Sequence, residues 1–177
     1  MERLGQAHRR AARQVSRPAK RGLTRAAART QSPRLVGRYR VEFQPMPPNA
    51  FTRTNRTEWL AGMKTSAEAK VAGIELALLD CAKWFHKAGG ISQVAQIARQ
   101  LGDKASPRRL AAIARACDNA DVMRLGYLLE LAGHEQQAKA LDAFTQDARQ
   151  KLLDPTSKID TGELSGRWKI TLNTPPE

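Results

Sequence analysis

From Gly73 onward, apolar side chains recur every three or four residues, and a glycine, a proline or a capping residue closes each run. That spacing lines one face of successive helices. The first is expected from about Gly73 to Lys87, with Ile74, Ala77, Leu78, Cys81 and Trp84 or Phe85 inward. Gly89-Gly90 stops it, because glycine accepts the left-handed turn after a helix. Ser92 is expected to cap a second helix carrying Val94, Ala95, Ile97, Ala98 and Leu101, closed by Gly102. Ser106-Pro107, a cap followed by a first-turn proline, opens a third with Leu110, Ala111, Ile113, Ala114 and Cys117 inward. Asp121 is expected to cap the fourth, whose stripe is Val122, Leu125, Leu128, Leu129 and Ala132 and whose end is Gly133. A fifth is expected from Glu135 to Leu153, with Ala138, Leu141, Phe144 and Ala148, until Asp154-Pro155 ends it.

Two runs alternate instead. Arg38 to Phe43 reads as a half-buried strand, broken by the prolines of Gln44–Asn49. Residues 51–60 are expected to hold one or two more short strands, and 62–70 a polar loop. Near the end Trp168, Ile170 and Leu172 alternate with Lys169 and Thr171, a strand that could pair with the Tyr39–Phe43 run. The expected fold class is α+β, mainly α: a five-helix, bundle-like domain with a small two- or three-stranded sheet.

Charge changes the picture at the front. The chain has 177 residues and a formal net charge of +13. Residues 1–40 hold 12 of the 30 basic residues and one acid, Glu2, so most of the excess belongs to that segment. Such a block repels itself and has little apolar mass to bury. Residues 1–33 are therefore expected to be a disordered basic tail or remnant, and 34–177 the folded domain. Arg10, Arg13, Arg17, Lys20 or Arg21, Arg25 and Arg29 recur every three or four residues, so a transient helix would gather them along a phosphate backbone. Arg9, Arg10, Arg13, Arg17, Lys20 and Arg21 are the candidate nucleic-acid contacts. An interdomain connector, sequence upstream of the true start, or a targeting peptide are the other readings of this composition. The chain lacks a secretory apolar core, and no run approaches the ~20 apolar residues of a membrane span. The protein is expected in the cytoplasm, without a membrane partner.

Candidate chemistry is sparse. Cys81 and Cys117 have no CxxC spacing and no histidine at ligand distance, so reduced, buried thiols are expected. Glu130 and His134 are four apart, but Gly133 falls between them, and a charge interaction at a helix end accounts for the pair better than a metal or acid–base site. Gly89-Gly90 fits neither GxGxxG nor GxxxxGK[ST]. Asp118, Asn119 and Asp121 read as a capping loop. No catalytic residue, metal site or cofactor is assigned, and the protein is expected not to be an enzyme. Arg108 and Arg115 lie seven apart and could share a helix face, while Arg124 starts the next helix beside Asp121; the plainer reading makes Arg108, Arg109 and Arg115 solvated positions and has a local carboxylate hold Arg124.

Four sequence elements remain: Ile74-Glu75-Leu76-Ala77-Leu78-Leu79-Asp80, Gly89-Gly90-Ile91, Arg124-Leu125-Gly126-Tyr127-Leu128-Leu129-Glu130, and Arg167-Trp168-Lys169-Ile170-Thr171-Leu172-Asn173. In this order, over roughly Val71 to Asn173, the chain resembles the antitoxin domain of the AbiEi family. That family supplies antitoxins and transcriptional regulators of type IV toxin–antitoxin, or abortive infection, loci. The resemblance implies a non-enzymatic antitoxin that counters a nucleotidyltransferase-like toxin without a stable complex. Such proteins also carry an N-terminal winged helix-turn-helix that represses their own operon, and residues 1–33 have neither its length nor its apolar periodicity.

Two functional readings follow. One is the antitoxin, with Arg108, Arg109 and Arg124 as its candidate surface and a role in operon autoregulation. The other is a nucleic-acid-binding regulator acting on operator DNA through the basic tail. The fourth helix gives a stability expectation as well: Leu128→Ala should cost roughly 2–5 kcal/mol, and Arg124→Ala less than about 1 kcal/mol if Arg124 is a solvated helix-start charge.

Overall fold

A computed structural model of the chain describes residues 34–41, 60–61 and 71–176. The basic segment 1–33, the proline-rich break 42–50, most of the 51–60 stretch and the 62–70 loop lie outside the described residues. The chain divides into two units, Met1–Pro45 and Met46–Glu177.

In the first unit, β1 (Arg34–Val36) and β2 (Tyr39–Val41) form an antiparallel hairpin in which Val36 faces Tyr39. Gly37, at φ 60°, takes the first turn position, where a two-residue hairpin loop needs a left-handed backbone. β2 therefore pairs with its own neighbour, and not with the strand near the C-terminus as the alternating pattern suggested.

The second unit is mainly helical. After a two-residue antiparallel pair, β3 (Leu60–Ala61) with β4 (Val71–Ala72), come α1 (Ile74–Lys83), α2 (Ile91–Leu101), α3 (Pro107–Ala114), α4 (Asn119–Leu131) and α5 (Glu135–Lys139). Short 3₁₀ turns, Gly102–Lys104 and Asp142–Phe144, follow α2 and α5. A three-stranded sheet closes the unit, with β7 (Ile170–Leu172) in the middle, parallel to β5 (Lys151–Leu152) and antiparallel to β6 (Glu163–Ser165). The mainly helical α+β class and the three-stranded sheet are as the sequence indicates.

α4 is the central element, packed against α1, α2, α5 and β7. Val122, Met123, Leu125, Leu128 and Leu129 have no exposed surface, so its apolar arc is wider than a one-sided stripe. α1 is enclosed in the same way by α2, α3 and α4. Leu76, Leu78, Leu79 and Ala82 are its buried apolar residues, while Ile74, Ala77 and Cys81 are half-buried. The inward face is thus rotated from the expected one.

α1 also stops at Lys83 and not at Lys87. Trp84 leaves helical geometry at φ −103°, ψ 34°, and Phe85 turns inward to 4 % exposure. Gly89 and Gly90, at φ 94° and 93°, therefore do not stop α1 as expected but close the turns that follow it, with Gly90 leading into the next helix.

The caps differ too. Gly90, and not Ser92, is the N-cap of α2, and Asp118, and not Asp121, is that of α4. Ser106 does stand at the N-cap of α3, but its side chain makes no capping bond.

The largest departure is after Lys139, where the expected long fifth helix breaks. Leu141 is fully buried, and the backbone farther on is drawn into the sheet: Lys151 N–H donates to Lys169 O and Leu153 N–H to Thr171 O, each at 2.9 Å. Pairing with a strand some twenty residues away outweighs the local helical pattern. Trp168 itself lies outside the strand it was expected to begin. Lys169, at φ 50°, is the one non-glycine residue among those described with a left-handed backbone, and it lets Trp168 and Ile170 both point inward at 0 % exposure.

Candidate functional site

Most of the charged and amide residues in the four distinctive sequence elements are turned to scaffolding. Arg124 is 4 % exposed. Its Nε donates to Leu153 O at 2.8 Å, and its Nη1 to Ala82 O at 2.9 Å and Asp121 Oδ1 at 3.1 Å. The guanidinium also stacks 5.0 Å from the centre of the Phe85 ring. One side chain thus satisfies a carbonyl in the last turn of α1, which has no intrahelical partner, and ties the start of α4 to the end of β5. Burial lowers the Arg124 pKa, and Asp121 pulls against that shift. Arg124 belongs to the interior, which corrects both its place on the candidate antitoxin surface and the expectation that its removal is cheap.

Glu75, 4 % exposed in the first turn of α1, accepts the Ser106 backbone N–H at 2.9 Å. It does for the N-terminus of α3 what a capping-box glutamate does within one helix. Its other oxygen lies 3.8 Å from Arg109 Nε, whose side chain is 49 % exposed. In the last element Asn173 Oδ1 accepts from Asp154 N, while its Nδ2 donates to Asp154 O and Ile159 O. These bonds pin the loop between β5 and β6 back onto β7.

The third and fourth elements meet at Trp168. Its indole N–H donates to Glu130, and its ring lies over Gly126, where a β-carbon would stand 2.6 Å from Cε3. Arg167 stacks over the same ring at 5.0 Å and pairs with Glu130, Glu135 and Asp142 at 3.4, 2.8 and 2.9 Å. Those carboxylates, above all Asp142, which accepts hydrogen bonds from the guanidinium, hold its pKa above the ordinary arginine value. A glycine inside a strongly apolar helix was the available sign of this close approach, because such a glycine costs about 1 kcal/mol against alanine unless packing requires it.

The thiols are half-buried and unpaired with each other. Burial pushes Cys117 up to about 11, helped by the charges of Asp80 and Asp121, and its Sγ donates to Ile113 O. Burial likewise raises Asp80, Cys81 and Asp121. His134 Nε2 sits 3.2 Å from Arg99 O, with its ring packed where a side chain on Gly102 would go, so its contacts are structural. Among the described residues, no cluster of three or more His, Cys, Asp or Glu is placed to hold a metal ion. No helix among them is long and apolar enough to cross a membrane.

Among the described residues, several basic side chains on and beside α3 stay exposed. Arg108 and Arg115 lie seven residues apart on and just beyond α3, both exposed, with exposed Ala112 between them. Lys104, also exposed, ends the 3₁₀ turn that leads into α3. The structure brings Arg108 and Arg109 together at the start of α3 but sends Arg124 inside. Arg9, Arg10, Arg13, Arg17, Lys20 and Arg21 fall outside the described residues.

No curated protein and no solved structure matches the chain. A family model does: that of the AbiEi antitoxin C-terminal domain, over residues 1–131. The match takes in three of the four elements and ends at Leu131, the last residue of α4, so the Arg167–Asn173 element that packs on α4 lies beyond it. With about three quarters of its length so matched, the chain belongs to the AbiEi antitoxin family.

Proposed function

We propose that this protein is the non-enzymatic antitoxin of a type IV toxin–antitoxin locus, acting in the cytoplasm against a nucleotidyltransferase-like toxin without a stable complex. The family match carries the reading. It is supported by where the polar side chains go: Glu75, Arg124, Glu130, Arg167 and Asn173 are engaged in holding the fold. Arg108 and Arg109, at the exposed start of α3, are the proposed antitoxin surface. A part in operon autoregulation goes with this reading, with the basic residues of the N-terminal segment contacting operator DNA.

The test is co-expression with the neighbouring nucleotidyltransferase-like gene. Relief of growth arrest, with no toxin retained when the antitoxin is captured, is the expected result. Unrelieved arrest overturns the antitoxin reading, and a stable complex overturns the type IV mechanism.

A further inference from the structure

We propose that the turn leaving α1 binds an unpaired nucleobase of a single-stranded nucleic acid, which stacks on Trp84 and His86 while Lys83 pairs with the adjoining phosphate. The inference goes beyond the antitoxin reading and does not depend on it.

The chain builds this turn at a local break. α1 ends at Lys83, and Trp84 leaves helical geometry. Phe85 points inward at 4 % exposure, with the buried guanidinium of Arg124 stacked 5.0 Å from its ring centre. The backbone then closes on itself: the Lys87 and Ala88 N–H groups donate to Trp84 O, and the Gly90 N–H donates to Phe85 O. Phe85 thus anchors a short hydrogen-bonded turn, flanked in sequence by half-buried Trp84 and exposed His86.

Three side chains meet there. The His86 ring centre lies 6.0 Å from that of Trp84, with the planes at 67°, and 5.6 Å from that of Phe85, at 86°. Lys83 Nζ lies 5.4 Å from the Trp84 ring centre. Two inclined rings make a corner in which a base lies flat on one and meets the edge of the other, the two arrangements that aromatic pairs prefer. The ammonium beside them is a point charge suited to a phosphate.

The polar ends of this cluster are not engaged in holding the fold. Among the described residues, no hydrogen bond or ion pair takes up the Trp84 indole N–H, the His86 ring nitrogens or Lys83 Nζ. Nor is the Trp84 or the Lys83 nitrogen buried, so both are open to water. Trp168, by contrast, gives its N–H to Glu130, and His134 sits against Arg99 O. The field of Lys83 reaches Asp80 and Asp121, but it forms an ion pair with neither. Charge favours an anionic ligand as well, since residues 81–102 hold three basic residues and no acid.

Stacking selects the class of polyanion. Paired bases in a duplex cover one another's faces, whereas a single strand presents them, and proteins that hold single strands combine aromatic rings with cations.

The experiment follows the tryptophan fluorescence of the full chain carrying Trp59→Phe, which leaves Trp84 and the enclosed Trp168 as its indoles. Phosphate contacts made elsewhere on the chain leave the Trp84 emission unchanged, so quenching reports this turn. Octauridylate and octathymidylate should quench it alike, because a base face and a phosphate are common to RNA and DNA strands. A mixed-sequence duplex should quench it far less. Trp84→Leu should abolish the quenching, and Trp84→Phe should keep most of the single-strand affinity. Lys83→Gln should weaken the quenching titration and lower its slope of log K against log salt by about 0.7. An emission that single strands leave unchanged overturns the proposal. So does quenching by the duplex or by polyglutamate as strong as by single strands, or quenching that persists in Trp84→Leu. If Trp84→Leu melts lower, His86→Gln at the exposed position replaces it, with an expected loss of affinity of about fivefold. An unchanged titration midpoint in that variant overturns the proposal too.

Discussion

The indole of Trp168 rests on the backbone of Gly126, and its N–H is received by Glu130 one turn farther along the same helix. Two residues 42 positions apart therefore define how the C-terminal sheet meets α4. Adding one methyl group at Gly126 would place carbon inside the van der Waals envelope of a ring that has no exposed surface and cannot move without losing its hydrogen bond.

Gly126→Ala should therefore destabilise the protein, against the roughly 1 kcal/mol that alanine gains over glycine in a helix. Overpacking of about 1–3 kcal/mol outweighs that gain. Chemical denaturation checks the sign. In the double variant with Trp168→Leu, most of the penalty of Gly126→Ala should vanish, since neighbours that share a contact are not additive.

Arg124→Ala is expected to cost about 3 kcal/mol or more, comparable to the 2–5 kcal/mol of Leu128→Ala. The loss leaves the carbonyls of Leu153 and Ala82 without this donor and Asp121 without its partner. Thermal melting of the two variants side by side is the measurement. An unshifted Arg124→Ala protein would place the guanidinium in water.

Glu75→Ala should cost about 1–3 kcal/mol, because the Ser106 N–H then loses its acceptor in a part-buried place. Glu75→Gln keeps an oxygen there and should cost clearly less. If both variants melt alike, the charge of Glu75 matters more than its capping bond.

Asp80 sets a pH dependence. Burial raises its pKa above the ordinary 3.8, Lys83 offsets part of the effect, and Asp121 adds to it. The folded state therefore holds this proton more tightly than the unfolded state, so stability falls as pH rises from 3.8 through the raised value, and the penalty persists at neutral pH. Asp80→Asn should raise stability at pH 7 and reduce that loss, as read from denaturation midpoints across pH.

Cys117 should be sluggish toward alkylation while the protein is folded. Its thiol is pushed from 9.0 to about 11, so the thiolate fraction at pH 8 falls about 100-fold, while the more basic sulfur regains part in nucleophilicity. A net slowing of about tenfold relative to the unfolded chain, followed by mass spectrometry of the Cys117 peptide, is expected.

The period of three and four marked α2, α3 and α4 well, because Val94, Ala98, Leu110, Ile113, Leu125 and Leu128 each face a core that a helix must bury. It misplaced the fifth helix, since residues 135–153 keep a helical pattern while Lys151 and Leu153 donate their backbone N–H groups to Lys169 and Thr171. Capping was misread for a related reason. The side chain that serves Ser106 is Glu75, 31 residues away, and no local window contains it. Of the candidate surface, Arg108 and Arg109 were legible as a charged pair after a capped turn, but the fate of Arg124 was not: a helix-start arginine beside an aspartate reads the same whether it is solvated or buried.

The sequence by itself determined the elements whose causes are local. These include the left-handed turn glycines Gly89 and Gly90 and the stop at Gly133, the proline start of α3, the concentration of positive charge before residue 41, and the family elements. The tertiary structure decided which polar groups are interior and what they hold. Arg124 became a brace between α1, α4 and β5, Glu75 a cap for another helix, and Gly126 a seat for Trp168. The reason is that burial and hydrogen-bond satisfaction depend on groups distant in sequence, and an unpaired buried donor or acceptor costs about 1–3 kcal/mol. The fold therefore spends its most distinctive charged residues on completing one another.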